Sequence, residues 1–380
     1  MVDRRIFDDE HRAFRESFRA FLDAEAVPRV EEWEAQGFVS REFWQKAGAQ
    51  GFVGFDAPDE LGGAANRDFR FNAIIAEEVA DSGAAGDGFA MANDIIGPYL
   101  IEYASPEQQR RWVPGFVSGD TVAAIAMTEP GGGSDLARIT TTGRIEGSEV
   151  VLNGSKTFIT NGITAELVLV LARTGTARRA DLSLVAVEYG TPGFIRGRAL
   201  EKIGRHGQDT AELFFDDCRV PLENVIGEVD AALDLVKRNL PRERMSIAIT
   251  GVASARRALR LGLEYATTRS TFGKPLVQHQ TVLHKLADLH TAIEVAQSHV
   301  DNCVIALNAG TLSPEDAAGA KYWATDLESR VIDEVLQLFG GYGYMEEYPI
   351  ARMWRDSRVQ RIYGGANEIM REIVGRGLIA

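Results

Sequence analysis

The sequence predicts an α+β protein in three consecutive parts: helices, then strands, then helices. Three observations carry this. Aromatic residues recur at helical spacing near the start, β-prone runs with turn signals follow Gly119, and a long seven-residue apolar repeat lies in the last third. At 380 residues the chain exceeds one ordinary core, which fits two or three domains. The expected ranges are 1–120 for a helical domain, 121–229 for a β domain and 230–380 for a helical bundle.

In the first part Phe7, Phe14, Phe18, Phe21 and Leu22 share one helical face, with Arg and Glu elsewhere, so the stripe reads as core. Pro58 and the pair Gly62–Gly63 interrupt it, and FRFNAIIAEEVA resumes a helical period. In the second part EVVLNGSKTFITNG sets Asn153 and Gly154 between β-prone segments, the pair expected at a hairpin turn. LVLVLART, LSLVAVE and AELFFDDCRVP read as further strands. In the third part Val282, Leu286, Leu289, Ile293, Ala296, Val300, Cys303 and Leu307 alternate steps of four and three, the pattern of a long helix packed in a bundle. Cys303 lies on that stripe and reads as a small core residue. Ser313 as N-cap and Pro314 at the first helical position open the next helix, which should end at Gly340 and Gly341.

Hydrophobic content of 45% with 25% charged residues describes a soluble globular chain. No stretch approaches the roughly 20 apolar residues of a membrane span. The charged start, MVDRRIFDDEHRAF, has no apolar region of the secretory kind. Cys218 and Cys303 are the only cysteines and form no metal-like spacing, so neither a disulfide framework nor a metal site is expected, and a reducing cytoplasm fits. The formal charge of −14 argues against nucleic acid as a partner. An anionic ligand stays open where arginines converge, as at Arg178–Arg179, Arg242–Arg244 and Arg269.

Four strings carry chemistry. AIAMTEPGGGSDL (Ala124–Leu136) joins a strand to three glycines, where a flat or anionic ligand can approach backbone, with Thr128 and Ser134 as hydroxyl donors. It lacks dinucleotide spacing, and a plain surface loop is an equal reading. TFITNG adds Phe158 and Thr160; a hairpin end is its bland alternative. RSTFGKPLVQHQ (Arg269–Gln280) sets Arg, Thr, Phe and Gln around a turn, and QLFGGYGY (Gln337–Tyr344) ends a helix in a glycine pair. Each alone could be punctuation. Composition and spacing stop at a three-part soluble protein with an anion- or ring-binding site.

In this order, with YGGANEIM (Tyr363–Met370), the strings resemble the acyl-CoA dehydrogenase family over nearly the whole chain. Within the family the chain is most similar to the long-chain and isovaleryl-like branches, and HKLADLHTAIEVAQSHVDNC and AKYWATDL resemble the long-chain type closely. The resemblance implies a helical domain, a β-barrel-like middle domain and a four-helix bundle. It also implies FAD, an acyl-CoA substrate oxidised to a trans-2-enoyl-CoA, electron-transfer flavoprotein as acceptor and a homotetramer or homodimer. Carried over residue by residue, Ile125, Met127, Thr128, Gly133 and Ser134 with Phe158, Ile159 and Thr160 hold the flavin ring. Arg269, Thr271, Phe272 and Gln280, with Gln337, Leu338, Phe339, Gly340 and Gly341, reach the FAD of a partner subunit. Ala366, Asn367 and Glu368 return to the cofactor. Ser134, Arg179, Ala180, Asp234, Pro241, Arg242, Arg244, Gly364 and Gly365 match substrate positions. Departures are Asp234, where a tyrosine commonly lines the channel, and His206, where Arg or Lys is usual.

The implied reaction removes an α-proton and needs a carboxylate in an apolar pocket, with donors to the thioester oxygen. The common family motif puts a glutamate where this chain has Gly364. Three readings of the base follow: Glu243 in NLPRERMSIA, which matches the long-chain and isovaleryl-like branches; Glu368; or Glu243 as a plain surface charge, leaving the base unassigned. The coupled loss at position 364 and gain at 243 favours Glu243, with Gly364 contributing its N–H. Rival functions are an acyl-CoA oxidase and a non-catalytic flavin-fold subunit, separable by peroxide formation and by bleaching of the flavin.

Overall fold

The computed structural model describes residues 4–84, 88–175 and 181–379. The N-terminal part holds α1 (Asp9–Phe21), α2 (Val30–Gln36), α3 (Arg41–Ala49), α4 (Phe69–Ser82), the short α5 (Gly88–Ala90) and α6 (Pro106–Val117). Asp8 caps α1 by accepting from the N–H groups of Glu10 and His11. Most of the aromatic stripe is core as expected: Phe18, Phe21 and Leu22 are buried in one cluster with Trp33, Phe43, Phe52 and Phe89. Phe14 packs half-buried against that cluster, whereas Phe7 lies before α1 and packs on the bundle's cluster instead. Between α5 and α6 the chain runs through two π-helical stretches, Met91–Ile96 and Tyr99–Tyr103. Such widened turns concentrate at functional sites.

The middle part is a sheet of β1 (Ala123–Ala126), β2 (Thr142–Glu146), β3 (Glu149–Thr160), β4 (Leu167–Arg173), β5 (Leu182–Glu188), β6 (Phe194–Ala199), β7 (Thr210–Pro221) and β8 (Val225–Ile226). Its order is β6-β7-β3-β2-β4-β5-β8, with β1 parallel to β4. Strand β4 shows why its sequence is an unbroken apolar run. Leu167, Leu169 and Leu171 face the N-terminal helices, while Val168, Val170 and Ala172 face the core of the sheet.

The hairpin expectation at Asn153–Gly154 is corrected. The turn between β2 and β3 falls at Gly147, whose φ is 63°, and Asn153–Gly154 lies inside β3. There the register against β7 slips between Leu152 and Gly154. A Cβ on Gly154 would sit 2.6 Å from Thr141 Oγ1, and its φ is 148°. The glycine answers to a bulge and a close neighbour, not to a turn.

The C-terminal part contains α7 (Ala232–Thr268), a hairpin of β9 (Ser270–Thr271) and β10 (Lys274–Pro275), α8 (Gln280–Asn308), α9 (Pro314–Phe339), α10 (Pro349–Ser357) and α11 (Asn367–Gly377). The repeat on α8 buries Leu286, Leu289, Ile293, Ala296, Val300 and Cys303 against α7 and α9. Ser313 caps α9 by accepting from the N–H of Asp316, and Gly340 ends it at φ 57°. Ion pairs lace the first part to the bundle: Arg15 and Arg19 of α1 reach Glu77, Glu78 and Asp81 of α4, and Asp81 accepts from Arg260 of α7.

Candidate active site

Residues 239, 243 and 247 fall on one face of α7 at one-turn spacing. Glu243 is only 8% exposed. Asn239 donates Nδ2 to its Oε1 at 2.8 Å, and the same amide reaches the carbonyls of Asp94 at 3.3 Å and Ile95 at 3.1 Å. Those carbonyls belong to the first π-helical stretch, so Asn239 ties the carboxylate to that stretch. Burial pushes the Glu243 carboxyl up to about 7, and the negative Asp94 adds to this, while Asn239 and the neighbouring Arg244 oppose it.

Around Glu243 the charges divide unevenly. Asp94 is buried and raised to about 6 by burial, although Ser246 and Asn72 each donate to it at 2.6 Å. Arg242 is committed to Asp56 at 3.3 Å and to the Asn93 carbonyl at 3.2 Å. Arg244 is 6% exposed, and its Nε has no hydrogen-bond partner among the described residues.

Gly364 stands across from this face. Its φ is 62°, and a Cβ there would lie 2.3 Å from Ile247 Cδ1, one turn beyond Glu243. The loop Tyr363–Ala366 therefore packs on the same stretch of α7 as the carboxylate. Glu368, by contrast, is exposed on the first turn of α11.

The two β-domain strings meet at a bulge. The Thr157 N–H donates to the Thr128 carbonyl at 2.9 Å, and β3 loses register against β7 between Lys156 and Ile159. Phe158 is thereby thrown outward, 68% exposed at φ 59°. A non-glycine residue at positive φ is uncommon and marks a constrained position. Beneath it Lys156, fully buried, donates Nζ to Glu129 Oε1 at 2.9 Å and to the Met127 carbonyl at 3.1 Å. Burial would raise the Glu129 carboxyl, but bonds from Thr140, Thr141 and Lys156 hold it at about 2. Ile125, Met127, Thr128 and Thr160 are half-buried along this edge, and Gly133 and Ser134 are exposed. The Ile159 side chain points into the sheet core.

The other two strings meet at the far end of the bundle. Phe272 and Gly273, at φ 49° and 80°, form the turn of the β9–β10 hairpin, and Phe272 is 99% exposed. Arg269 and Gln280 are exposed beside it, and Thr271 Oγ1 lies 3.3 Å from His279 Nε2. Gln337, Gly340 and Gly341 are exposed and Leu338 is half-buried at the end of α9. Phe339 is core: its ring stacks on Tyr265 at 4.1 Å, and Tyr265 Oη donates to its carbonyl at 3.3 Å.

Of the remaining positions, Asn367 is buried with its amide committed inward, while Gly365 and Ala366 are half-buried. Asp234 is exposed and pairs with Lys237 at 3.5 Å. Pro241 is half-buried within α7. The His206 ring bonds the Lys202 carbonyl at 3.1 Å. Arg179 and Ala180 lie outside the described residues.

Sequence reading missed Asn239, Asp94, Lys156 and Lys321. Asn239 was findable from its spacing of four before Glu243. Lys156 and Lys321 each interrupt an apolar face, which is a readable anomaly.

Three family models match in series: acyl-CoA dehydrogenase N-terminal domain over residues 8–120, middle domain over 124–218 and C-terminal domain over 233–379. The mitochondrial long-chain specific acyl-CoA dehydrogenase of Sus scrofa is 45% identical over 379 residues, spanning 99% of this chain and 88% of that protein. The crystal structure of an acyl-CoA dehydrogenase from Geobacillus kaustophilus superposes with a TM-score of 0.97 at 42% identity, covering 100% of both chains. An acyl-CoA dehydrogenase from Bacillus anthracis complexed with FAD superposes at 0.90 with 30% identity, over 98% of this chain and 67% of that one. Matched along nearly its whole length by all three consecutive domains, the chain belongs to the acyl-CoA dehydrogenase family.

Proposed function

We propose that this enzyme catalyses the flavin-dependent α,β-dehydrogenation of a medium-chain, long-chain or branched acyl-CoA to the trans-2-enoyl-CoA. In this reading FAD is the cofactor and electron-transfer flavoprotein the acceptor. The observation that carries it is the pairing of a buried carboxylate, Glu243, with the backbone of Gly364 against one stretch of α7. Glu243, poised near neutrality by burial, takes the α-proton. The Gly364 N–H donates to the thioester oxygen, where negative charge develops. Asn239 fixes the carboxylate by donating to one of its oxygens. Glu368, being exposed, lacks the environment that would tune it for this role.

The residues present fit a flavin. Phe158, held outward at positive φ, offers a ring face, and nothing lies within 4 Å of where side chains at Gly131 and Gly132 would begin. The first N–H groups of α11 at Asn367 and Glu368 have no partner within their helix. FAD, when bound, supplies the two-electron acceptor. The exposed Arg269, Phe272, Gln280 and Gly340 at the bundle end would complete the cofactor site of a second subunit, in a homotetramer or homodimer.

An anaerobic bleaching screen with acyl-CoAs of graded length and branching tests the function. At least one should reduce the flavin fully, and a flavin that none bleaches would refute it. Replacing Arg269 by Ala should release FAD and loosen the assembly together, read by gel filtration with absorbance at flavin wavelengths. A variant that stays assembled with full FAD would remove the shared site.

A further inference from the structure

Lys321 on α9 is fully buried, yet no carboxylate among the described residues pairs with it. Its Nζ donates to the Gly365 carbonyl at 2.8 Å and to Asn367 Oδ1 at 2.9 Å. Asn367 is held in turn, donating Nδ2 to Thr325 Oγ1 at 2.9 Å and to Asp326 Oδ1 at 3.0 Å. The loop so gripped contains two successive left-handed glycines, Gly364 at φ 62° and Gly365 at φ 93°. Glycine pairs are conformationally loose unless something outside them restrains the backbone. Here the restraint comes from below, through the carbonyl of the second glycine.

The choice of a cation for this anchor calls for a reason. An apolar or neutral side chain would hold the loop without burying a charge. Burial, together with the nearby positive Arg244 and Arg361, pulls the Lys321 ammonium down to about 8 against the opposing pull of Asp326 and Glu368. Two buried cations, Lys321 and Arg244, thus stand close enough to act on each other, and the first of them grips the loop. A fixed positive field is most useful where negative charge grows during a reaction, because it needs no reorganisation at that moment.

We propose that Lys321 is a positioning residue for the dehydrogenation: its buried ammonium clamps the Gly364–Gly365 loop so that the Gly364 N–H stays aimed at the thioester oxygen, and it adds positive potential there. The assignment rests on the role given to Gly364 above.

The test compares holoenzyme with Lys321→Met and Lys321→Arg, using an acyl-CoA that bleaches the wild type and its 3-thia analogue. In the analogue sulfur replaces the β-carbon, so the α-proton can leave but the β-carbon–hydrogen bond is missing. The wild type should therefore give the long-wavelength band of an enolate beside oxidised flavin. Lys321→Met should keep FAD and bind both ligands within a few-fold of the wild type, yet bleach on the order of 10²-fold more slowly and give a weaker band. Lys321→Arg should recover part of both signals. A Lys321→Met enzyme with wild-type bleaching and band overturns the proposal, as does an arginine variant no better than methionine. If Lys321→Met does not retain FAD, Asn367→Ser carries the test, because it removes one of the ammonium's acceptors. Slower bleaching at unchanged ligand binding then supports the assignment, and a wild-type rate overturns it. A wild-type enzyme that no acyl-CoA bleaches sinks the dehydrogenase reading and this one together, whereas the variant outcomes bear on Lys321 alone.

Discussion

Glu243→Gln is expected to slow reduction of the flavin by at least about 10²-fold, the lower end of what a positioned general base contributes. Glutamine keeps the shape and can still meet Asn239, but it cannot accept the α-proton. FAD content and acyl-CoA binding should change little. The wild-type rate should climb with pH through about 7, where the buried carboxylate ionises, and the variant should lack that limb. Anaerobic stopped-flow measurement across pH decides it. Near-normal bleaching by the variant would pass the role of base to Glu368. Moving the carboxylate back by adding Gly364→Glu should rescue poorly. The new Cβ would meet Ile247 Cδ1 at 2.3 Å, and position 364 sits at φ 62°, which costs a non-glycine residue on the order of 1 kcal/mol or more.

Lys156→Met should cost about 3–5 kcal/mol of stability, the usual penalty for removing one partner of a buried ion pair. Glu129 would be left 5% exposed with its charge answered only by Thr140 and Thr141. The Met127 carbonyl would lose its donor too, leaving the backbone bond from the Thr157 N–H to the Thr128 carbonyl as the tie between this segment and the bulge at Phe158. Flavin affinity should therefore fall along with the midpoint of urea unfolding. The double variant with Glu129→Gln should recover part of the stability, since it leaves no unpaired charge. A single variant as stable as the wild type would show that the pair is not what holds this corner of the sheet.

Several elements could be read directly because a local pattern and a tertiary demand coincide. The stripe on α8, the cap at Ser313 and the apolar run of β4 are of this kind. Asn153–Gly154 failed because the same dipeptide serves a turn or a bulge, and the close approach of Thr141 that decides between them is not local. The π-helical stretch at 91–96 left no periodic trace, and two of its carbonyls, those of Asp94 and Ile95, are met by Asn239, far away in sequence. At the site, the strings were visible as strings, but which side chains face outward was not. The bulge at Thr157–Phe158 breaks the two-residue alternation, burying Ile159 while exposing Phe158. Phe339 and Asn367 likewise sit in motifs that meet solvent, yet turn inward themselves. The preference for Glu243 over Glu368 came from family resemblance alone; burial supplies a physical reason for it.

The burial of Glu243 has a consequence for anyone who wants a tougher version of this protein. Its carboxyl is raised from the ordinary 4.5 to about 7, so the folded chain holds that proton more tightly than the unfolded chain does. The favourable contribution is complete below about pH 4.5 and disappears as pH rises through about 7, leaving a burden on the order of 3 kcal/mol in alkaline buffer. Any neutral replacement at this position escapes that burden. A mutant library screened for survival after heating at pH 8 would therefore enrich proteins that have lost the acid–base group, while the same screen at pH 5 would be nearly blind to the change. Robustness and turnover are opposed at one side chain, and a selection that rewards only the first will breed out the second.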